Sequence, residues 1–360
     1  MFGLNRKNKA FGLDLSDLSV KIAMLKKGYF GFNLACFSRK EIPAGIIEEG
    51  EIKDEQKLIK IINDALQNTK GGSLKTRYCV ASLPETEAFV RIIQLPRMKD
   101  EEMQEAVKWE TENNIPMSIE EVYIDWQIIK AEHEKKDHYD ILIGVMPKKI
   151  IDSYFSLFKK IRLRPLVFEI ESVATARALI KNNLAIPPAM IIDLGAKRTS
   201  FIAVAGSAIP FTASIPISNI SMIQLISQKL GISEKEAFDL KIKYGLNKAK
   251  GDGKVYEVLK NPLLEIVEKA REYLYFYNSH VLKKHSLKTG PIDKIMLCGG
   301  GANLLGLTSF LSQELKIKVE IGNPWVNIFK SQIKEVPELS FEQSIAYTTA
   351  LGLALRGIYD

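Results

Sequence analysis

Two stretches decide the reading of this chain: Phe11-Gly-Leu-Asp-Leu-Ser-Asp-Leu-Ser-Val-Lys-Ile-Ala-Met-Leu25 and Met190-Ile-Ile-Asp-Leu-Gly-Ala-Lys-Arg-Thr-Ser-Phe-Ile-Ala-Val-Ala205. Each has a short apolar run ending in Asp-Leu, then a few small or polar residues, then a second β-prone run. Each therefore predicts a β-hairpin whose tip follows an aspartate, Asp14 in one and Asp193 in the other. They lie nearly half a chain apart, as expected of two halves that share one design.

That pair suits a polyphosphate. A tight turn of small residues exposes successive backbone N–H groups, which form a concavity for anionic oxygens. Ser16, Ser19, Thr199 and Ser200 add hydroxyl donors, and Gly195 permits close backbone approach. Asp14 and Asp193 become compatible with phosphate once Mg²⁺ is included, because its retained waters can be held by carboxylates from opposite sides. Two ordinary hairpins with Asp in the turn fit the same pattern.

A third segment strengthens the nucleotide reading. Lys294-Ile-Met-Leu-Cys298 predicts a buried strand, followed by Gly299-Gly300-Gly301-Ala302-Asn303. Leu304, Leu305, Leu307, Phe310 and Leu311 then follow at helical spacing. Glycines between strand and helix allow a ligand close to the backbone, and a helix N-terminus favours negative charge. Leu304 stands where a dinucleotide fingerprint needs its third glycine, and no Gly-Lys-Ser/Thr follows as in a P-loop.

Composition narrows the class. The 360 residues are 46% hydrophobic and 26% charged, the balance of a globular chain long enough for two lobes. No uncharged apolar run approaches the roughly 18 residues needed to span a bilayer. The opening Met1-Phe-Gly-Leu-Asn-Arg-Lys-Asn-Lys-Ala10 has no apolar segment behind its basic residues, so a cytoplasmic location is expected. Cys36, Cys79 and Cys298 are too scattered for a disulfide framework or a zinc knuckle. His133/His138 and His280/His285 are spaced to point about 140° apart on a helix, so neither pair is a metal clamp. The net charge of +7 comes from scattered lysine doublets without interleaved aromatics, which argues against nucleic acid as a partner. Arg6-Lys7-Asn8-Lys9 leaves a weak attraction to anionic headgroups open.

The three segments, in this order, resemble the phosphate-1, phosphate-2 and adenosine motifs of the actin, heat-shock and sugar-kinase superfamily. Within it the chain is similar to the PilM family of type IV pilus assembly proteins, and more distantly to FtsA. The closest resemblance lies in Leu95-Pro-Arg-Met98, Val107-Lys-Trp-Glu-Thr-Glu-Asn-Asn-Ile-Pro116, Glu120-Glu-Val-Tyr-Ile-Asp-Trp-Gln127 and Arg164-Pro-Leu-Val-Phe-Glu-Ile-Glu-Ser172. It implies an α/β, actin-like (ribonuclease H-like, duplicated) two-lobed fold with a small inserted subdomain in the first lobe. It also implies ATP with Mg²⁺ held by Asp14, Ser16, Asp17, Ser19, Lys21, Asp193, Gly195, Thr199, Lys241, Gly299, Gly300, Gly301 and Asn303, with Asp14 and Asp193 facing the metal. Ser16 stands where the family usually has glycine and Asp17 follows it, Lys197-Arg198 replace the usual small polar residues of the second turn, and Phe238 takes the place of a ribose-binding glutamate.

The implied partner is the N-terminal cytoplasmic peptide of a PilN-like inner-membrane protein, together with other pilus components. Membrane association would then be indirect, and self-association is open. The lobes are expected at 1–84 with 148–188 and 345–360, and at 189–232 with 291–344; 85–147 is the inserted subdomain and 233–290 a helical one. Helices are expected over Glu55–Thr69, Asp100–Asn113 and Lys148–Lys160, the last with Ile151, Tyr154, Phe155 and Phe158 inward. A stripe of Leu263, Val267, Ala270, Leu274, Tyr277 and Val281 marks a further core helix, and Ser344–Arg356 a small-residue helix that packs closely. Glu110, Glu169 and Glu171 are candidate carboxylates for hydrolysis, none singled out, so at most slow ATPase activity is expected. The competing readings are a small-molecule kinase, which needs a catalytic aspartate, and an FtsA-like filament protein, which usually ends in an amphipathic helix.

Overall fold

Phe11–Ser16 (β1) is almost wholly buried on both faces, Phe11, Leu13 and Leu15 on one and Gly12 and Asp14 on the other, the signature of a central strand rather than an edge. It pairs antiparallel with Ser19–Gly28 (β2), which continues into Gly31–Glu41 (β3). On its other side β1 runs parallel to Tyr78–Leu83 (β6), which runs parallel to Arg164–Ile170 (β10). The order β10-β6-β1-β2-β3 results. A separate two-stranded hairpin, Ile47–Glu48 (β4) and Glu51–Ile52 (β5), turns through Glu49 and Gly50, both at positive φ. The computed structural model describes residues 9–28, 31–129, 137–181, 187–206, 208–282, 290–329 and 338–359. The basic start at 6–8 and two of the four histidines, His133 and His285, lie outside that set.

The chain divides into two compact units. The first comprises Met1–Asn183, Ser207–Phe211 and Asn323–Asp360, and the second Leu184–Gly206 and Thr212–Gly322. In the first unit Glu55–Gln67 (α1) is capped by Asp54, whose side chain accepts from the Lys57 amide, and buries Leu58, Ile62, Ala65 and Leu66. Lys148–Lys160 (α3) covers the same core with Ile150, Tyr154, Leu157 and Phe158. The expected inward stripe was thus turned by about one position: Phe155 is 55% exposed, and Leu157 takes its place.

Phe89–Pro96 (β7), Val122–Ile128 (β8) and His138–Pro147 (β9) pair antiparallel, with β9 in the middle. Asp100–Glu112 (α2) packs Met103 and Val107 onto them. Thr348–Tyr359, the last helix, lies on β1 and on Glu171–Leu179 (α4). Its small residues are needed there. A Cβ on Gly352 would sit 1.8 Å from the Ala174 carbonyl oxygen, and one on Gly12 would sit 2.2 Å from that of Ala350.

The second unit repeats the first unit's motif. Ala189–Leu194 (β11) pairs antiparallel with Thr199–Ala205 (β12) and parallel with Lys294–Cys298 (β14). Lys318–Ile321 (β15) extends the parallel side. Asn219–Leu230 (α5) and Glu234–Tyr244 (α6) each begin at a serine capping box, Ser218 with Ser221 and Ser233 with Glu236. Lys254–Phe276 (α7) buries the predicted stripe of Leu263, Val267, Ala270 and Leu274. The glycine triplet does not open directly into a helix as expected. Turns fill 299–306, with Gly306 at φ 83° preceding Leu307–Leu315 (α8), and Leu305 is 50% exposed. A helix dipole at the triplet is therefore not part of the site.

Candidate functional site

The two hairpins share a register. Asp14 pairs with Lys21 and Asp193 with Ser200, each aspartate seven positions before its partner. The same backbone geometry is finished by different side chains.

In the first unit Asp14 is 3% exposed, and Lys21 donates to its Oδ2 at 2.9 Å. The Ser82 hydroxyl lies 3.4 Å from the other oxygen while accepting from the Leu15 amide at 2.8 Å. Ser16 donates across the turn to the Ser19 carbonyl at 3.1 Å. Asp17 accepts from the backbone N–H groups of Glu49, at 3.2 Å, and Gly50, at 3.0 Å. Tyr154 donates to the Gly50 carbonyl at 3.0 Å, and burial pushes its hydroxyl pKa far up, so it stays a donor. The carboxylate of Asp17 thus fastens the hairpin tip to the β4–β5 turn.

In the second unit the turn is mounted on a helix. The Gly195 amide donates to the Arg198 carbonyl at 2.9 Å; the Asn219 and Ile220 amides donate to the carbonyls of Gly195 and Ala196 at 3.0 and 3.2 Å. Holding those two carbonyls against α5 takes the turn's negative ends out of play, which favours an anion at the tip. The hydroxyl of Thr199 donates inward to the Ile217 carbonyl at 2.8 Å, and Arg198 donates to Ser214 at 3.1 Å.

Lys241 is the unusual group. It is 6% exposed, its ammonium donates to the side-chain carbonyl of Asn219, and burial lowers its pKa to about 8. A neutral amide solvates a cation but does not neutralise it, so an anion beside it would relieve the cost of burial. Asn219 was not anticipated from sequence, although it follows the Ser218 cap directly. It joins Lys241 to the Gly195 turn.

The glycine triplet is fitted to the same aspartate. A Cβ on Gly299, at φ 81°, would lie 2.1 Å from Asp193 Oδ1. Gly301 donates to the Leu194 carbonyl at 2.9 Å, and a Cβ there would lie 2.9 Å from that of Leu194. Gly300 faces open space, with nothing within 4 Å of a built Cβ, which is what a ligand approaching the backbone requires. Asn303 is exposed beyond it. Burial and Asp193 together hold the Cys298 thiol well above its usual pKa, so it stays protonated.

These residues fit a polyphosphate better than a protein-made metal cage. Among the described residues no group of three or more His, Cys, Asp or Glu forms a metal cluster. Asp14 already meets the Lys21 ammonium, and Asp193 is half-buried beside the triplet. Mg²⁺ bound through few carboxylates and many waters or phosphate oxygens suits such a donor set. The carboxylates considered for hydrolysis are engaged: Arg177 donates to Glu169, Arg356 lies 3.5 Å from it, and Asn114 donates to Glu110 at 3.1 Å.

A family model described as Type IV pilus assembly protein PilM matches residues 12–358. Among solved structures, a PilM-PilN type IV pilus biogenesis complex superposes with TM-score 0.77 at 23% identity, covering 97% of this chain and 98% of that one. The ethanolamine utilization protein EutJ from Carboxydothermus hydrogenoformans gives TM-score 0.54 at 14% identity, over 96% of this chain and 89% of its own. MreB5 of Spiroplasma citri bound to ADP gives 0.54 at 13% identity, over 96% and 95%. The fold is the actin-like one.

Proposed function

The chain belongs to the PilM family of type IV pilus assembly proteins, and on that basis we propose that it is a nucleotide-responsive scaffold of a pilus machine. The family match from residue 12 to residue 358 carries the reading, since it spans both units. The ligand is ATP with Mg²⁺. In the first unit the candidate ligand-facing residues are Asp14, Ser16, Ser19 and Lys21, with Asp17 setting the turn. In the second unit they are Asp193, Gly195, Thr199, Lys241, Gly299, Gly300, Gly301 and Asn303, with Thr199 acting through its backbone because its hydroxyl is engaged. Mg²⁺ would screen phosphate charge near Asp193. The family's own residues bind and orient; no carboxylate stands out as a base, and turnover below about 1 s⁻¹ is expected.

The partner is the N-terminal peptide of a PilN-like inner-membrane protein. The protein works at the cytoplasmic face and reaches the membrane through that partner; among the described residues no helix is long and apolar enough to cross it. The inserted region offers a docking surface of the right kind. β8 ends its sheet, and Tyr123 on it, 44% exposed, donates to Asp152 at 3.1 Å, one turn before the exposed Phe155 on α3. An open strand edge beside exposed aromatics suits an extended peptide. Calorimetric titration with the partner's N-terminal peptide, with and without Mg-ATP, tests the proposal. Saturable binding altered by nucleotide is expected; no binding in either condition would refute it.

A further inference from the structure

We propose that Phe238 is the base-stacking residue of the nucleotide site, making the second unit selective for purines and indifferent to the ribose hydroxyls. This rests on the nucleotide reading above and concerns α6 alone. At 100° per residue, Phe238, Lys241 and Gly245 fall on one face of α6. Lys241 is tied through Asn219 to the Gly195 turn. Gly245 abuts the loop that follows the glycine triplet: its built Cβ would lie 2.6 Å from that of Leu305, and Leu246 donates to the Leu305 carbonyl at 2.9 Å. The face is therefore anchored at both ends to the elements that surround the open position at Gly300.

Its exposed surface is apolar. Phe238 is 43% exposed and Ile242 62% on α6, and Leu305, beside Gly245, is 50% exposed, so large hydrophobic side chains face water on α6 and on the loop packed at its end. A surface of this composition is matched by a ligand with a flat apolar end and an anionic end. A nucleotide has both, with its base for the Phe238 ring and its phosphates for Lys241 and the turn. Phe238 precedes Lys241 by about 4.5 Å along the helix axis, a separation that a sugar bridges. Aromatic stacking is tolerant of which base is present but grows with the area of the ring system, so purines gain over pyrimidines. A phenyl ring accepts no hydrogen bond from a ribose hydroxyl at this position, so deoxyribose should serve as well.

The test is calorimetric titration of the full chain with ATP, dATP, CTP and inorganic tripolyphosphate, each with Mg²⁺, repeated for Phe238→Ala and Phe238→Trp. Alanine is the better helix former and the position is exposed, so both variants should fold. Wild type should bind dATP within about threefold of ATP and CTP about tenfold more weakly. Phe238→Ala should lose about tenfold for ATP while leaving tripolyphosphate unchanged. Phe238→Trp should bind ATP like wild type, with its indole fluorescence quenched on saturation. Equal ATP affinity in Phe238→Ala, equal affinity for CTP and ATP, or an unquenched indole would each overturn the stacking role. Wild type that binds neither ATP nor tripolyphosphate would overturn the nucleotide reading as well.

Discussion

The two aspartate hairpins have the same register and opposite economies. The first is internally complete: Lys21 neutralises Asp14, the Ser16 hydroxyl bonds within the turn, and Asp17 fastens its tip to β4–β5. The second is completed from outside. Its turn rests on α5, its aspartate is fitted against Gly299, and among the described residues the buried Lys241 ammonium is met by a neutral amide, that of Asn219. The duplicated backbone motif is thus finished by different partners in its two copies, and under the proposed function the anion is drawn to the second.

Each of the following changes would break or sharpen that contrast. Gly299→Val should be the most damaging, because the new side chain meets Asp193 and the residue is held at φ 81°. A loss of about 4 kcal/mol in urea denaturation is expected. Asp14→Asn leaves the partly buried Lys21 ammonium without its counter-charge, at a cost of about 2 kcal/mol by the same measurement. An unchanged midpoint would mean that the first hairpin is not held by its ion pair.

The pH dependence separates the hairpins next. Lys241 has a folded-state pKa of about 8 against an unfolded value of 10.5, so the unfolded chain binds more protons between those limits. Stability should therefore rise with pH across that window, by about 2 kcal/mol, once background titration is subtracted using Lys241→Met. A rise that persists in Lys241→Met would assign it elsewhere. The smallest effect is expected for Asp17→Asn, which keeps one acceptor oxygen for the β4–β5 turn and should cost about 1 kcal/mol.

The sequence disclosed the architecture well because its signals were local. Asp-Leu at the end of two apolar runs set both hairpins, and the stripe from Leu263 to Leu274 set α7. Ser218 and Ser233 carry the cap chemistry that starts α5 and α6. What stayed hidden depends on tertiary contacts. Nothing near Asp17 in the chain announces Glu49 and Gly50 as its partners, and nothing near Lys241 announces Asn219. Periodicity placed Phe155 inward and Leu305 in a helix, yet each is more than a third exposed and Leu305 precedes the helix. For α3 the buried face is set by what β10 and β6 leave uncovered, and for Leu305 by a helix that starts only at Leu307.

The contrast between the hairpins comes down to one affinity. Titration of Mg-ATP at neutral pH into wild type and Lys241→Met measures it, with circular dichroism confirming that both are folded. If the second unit supplies the unmet cation, Lys241→Met should bind ATP at least about tenfold more weakly. Equal affinities would contradict the account and return the phosphate grip to the first hairpin.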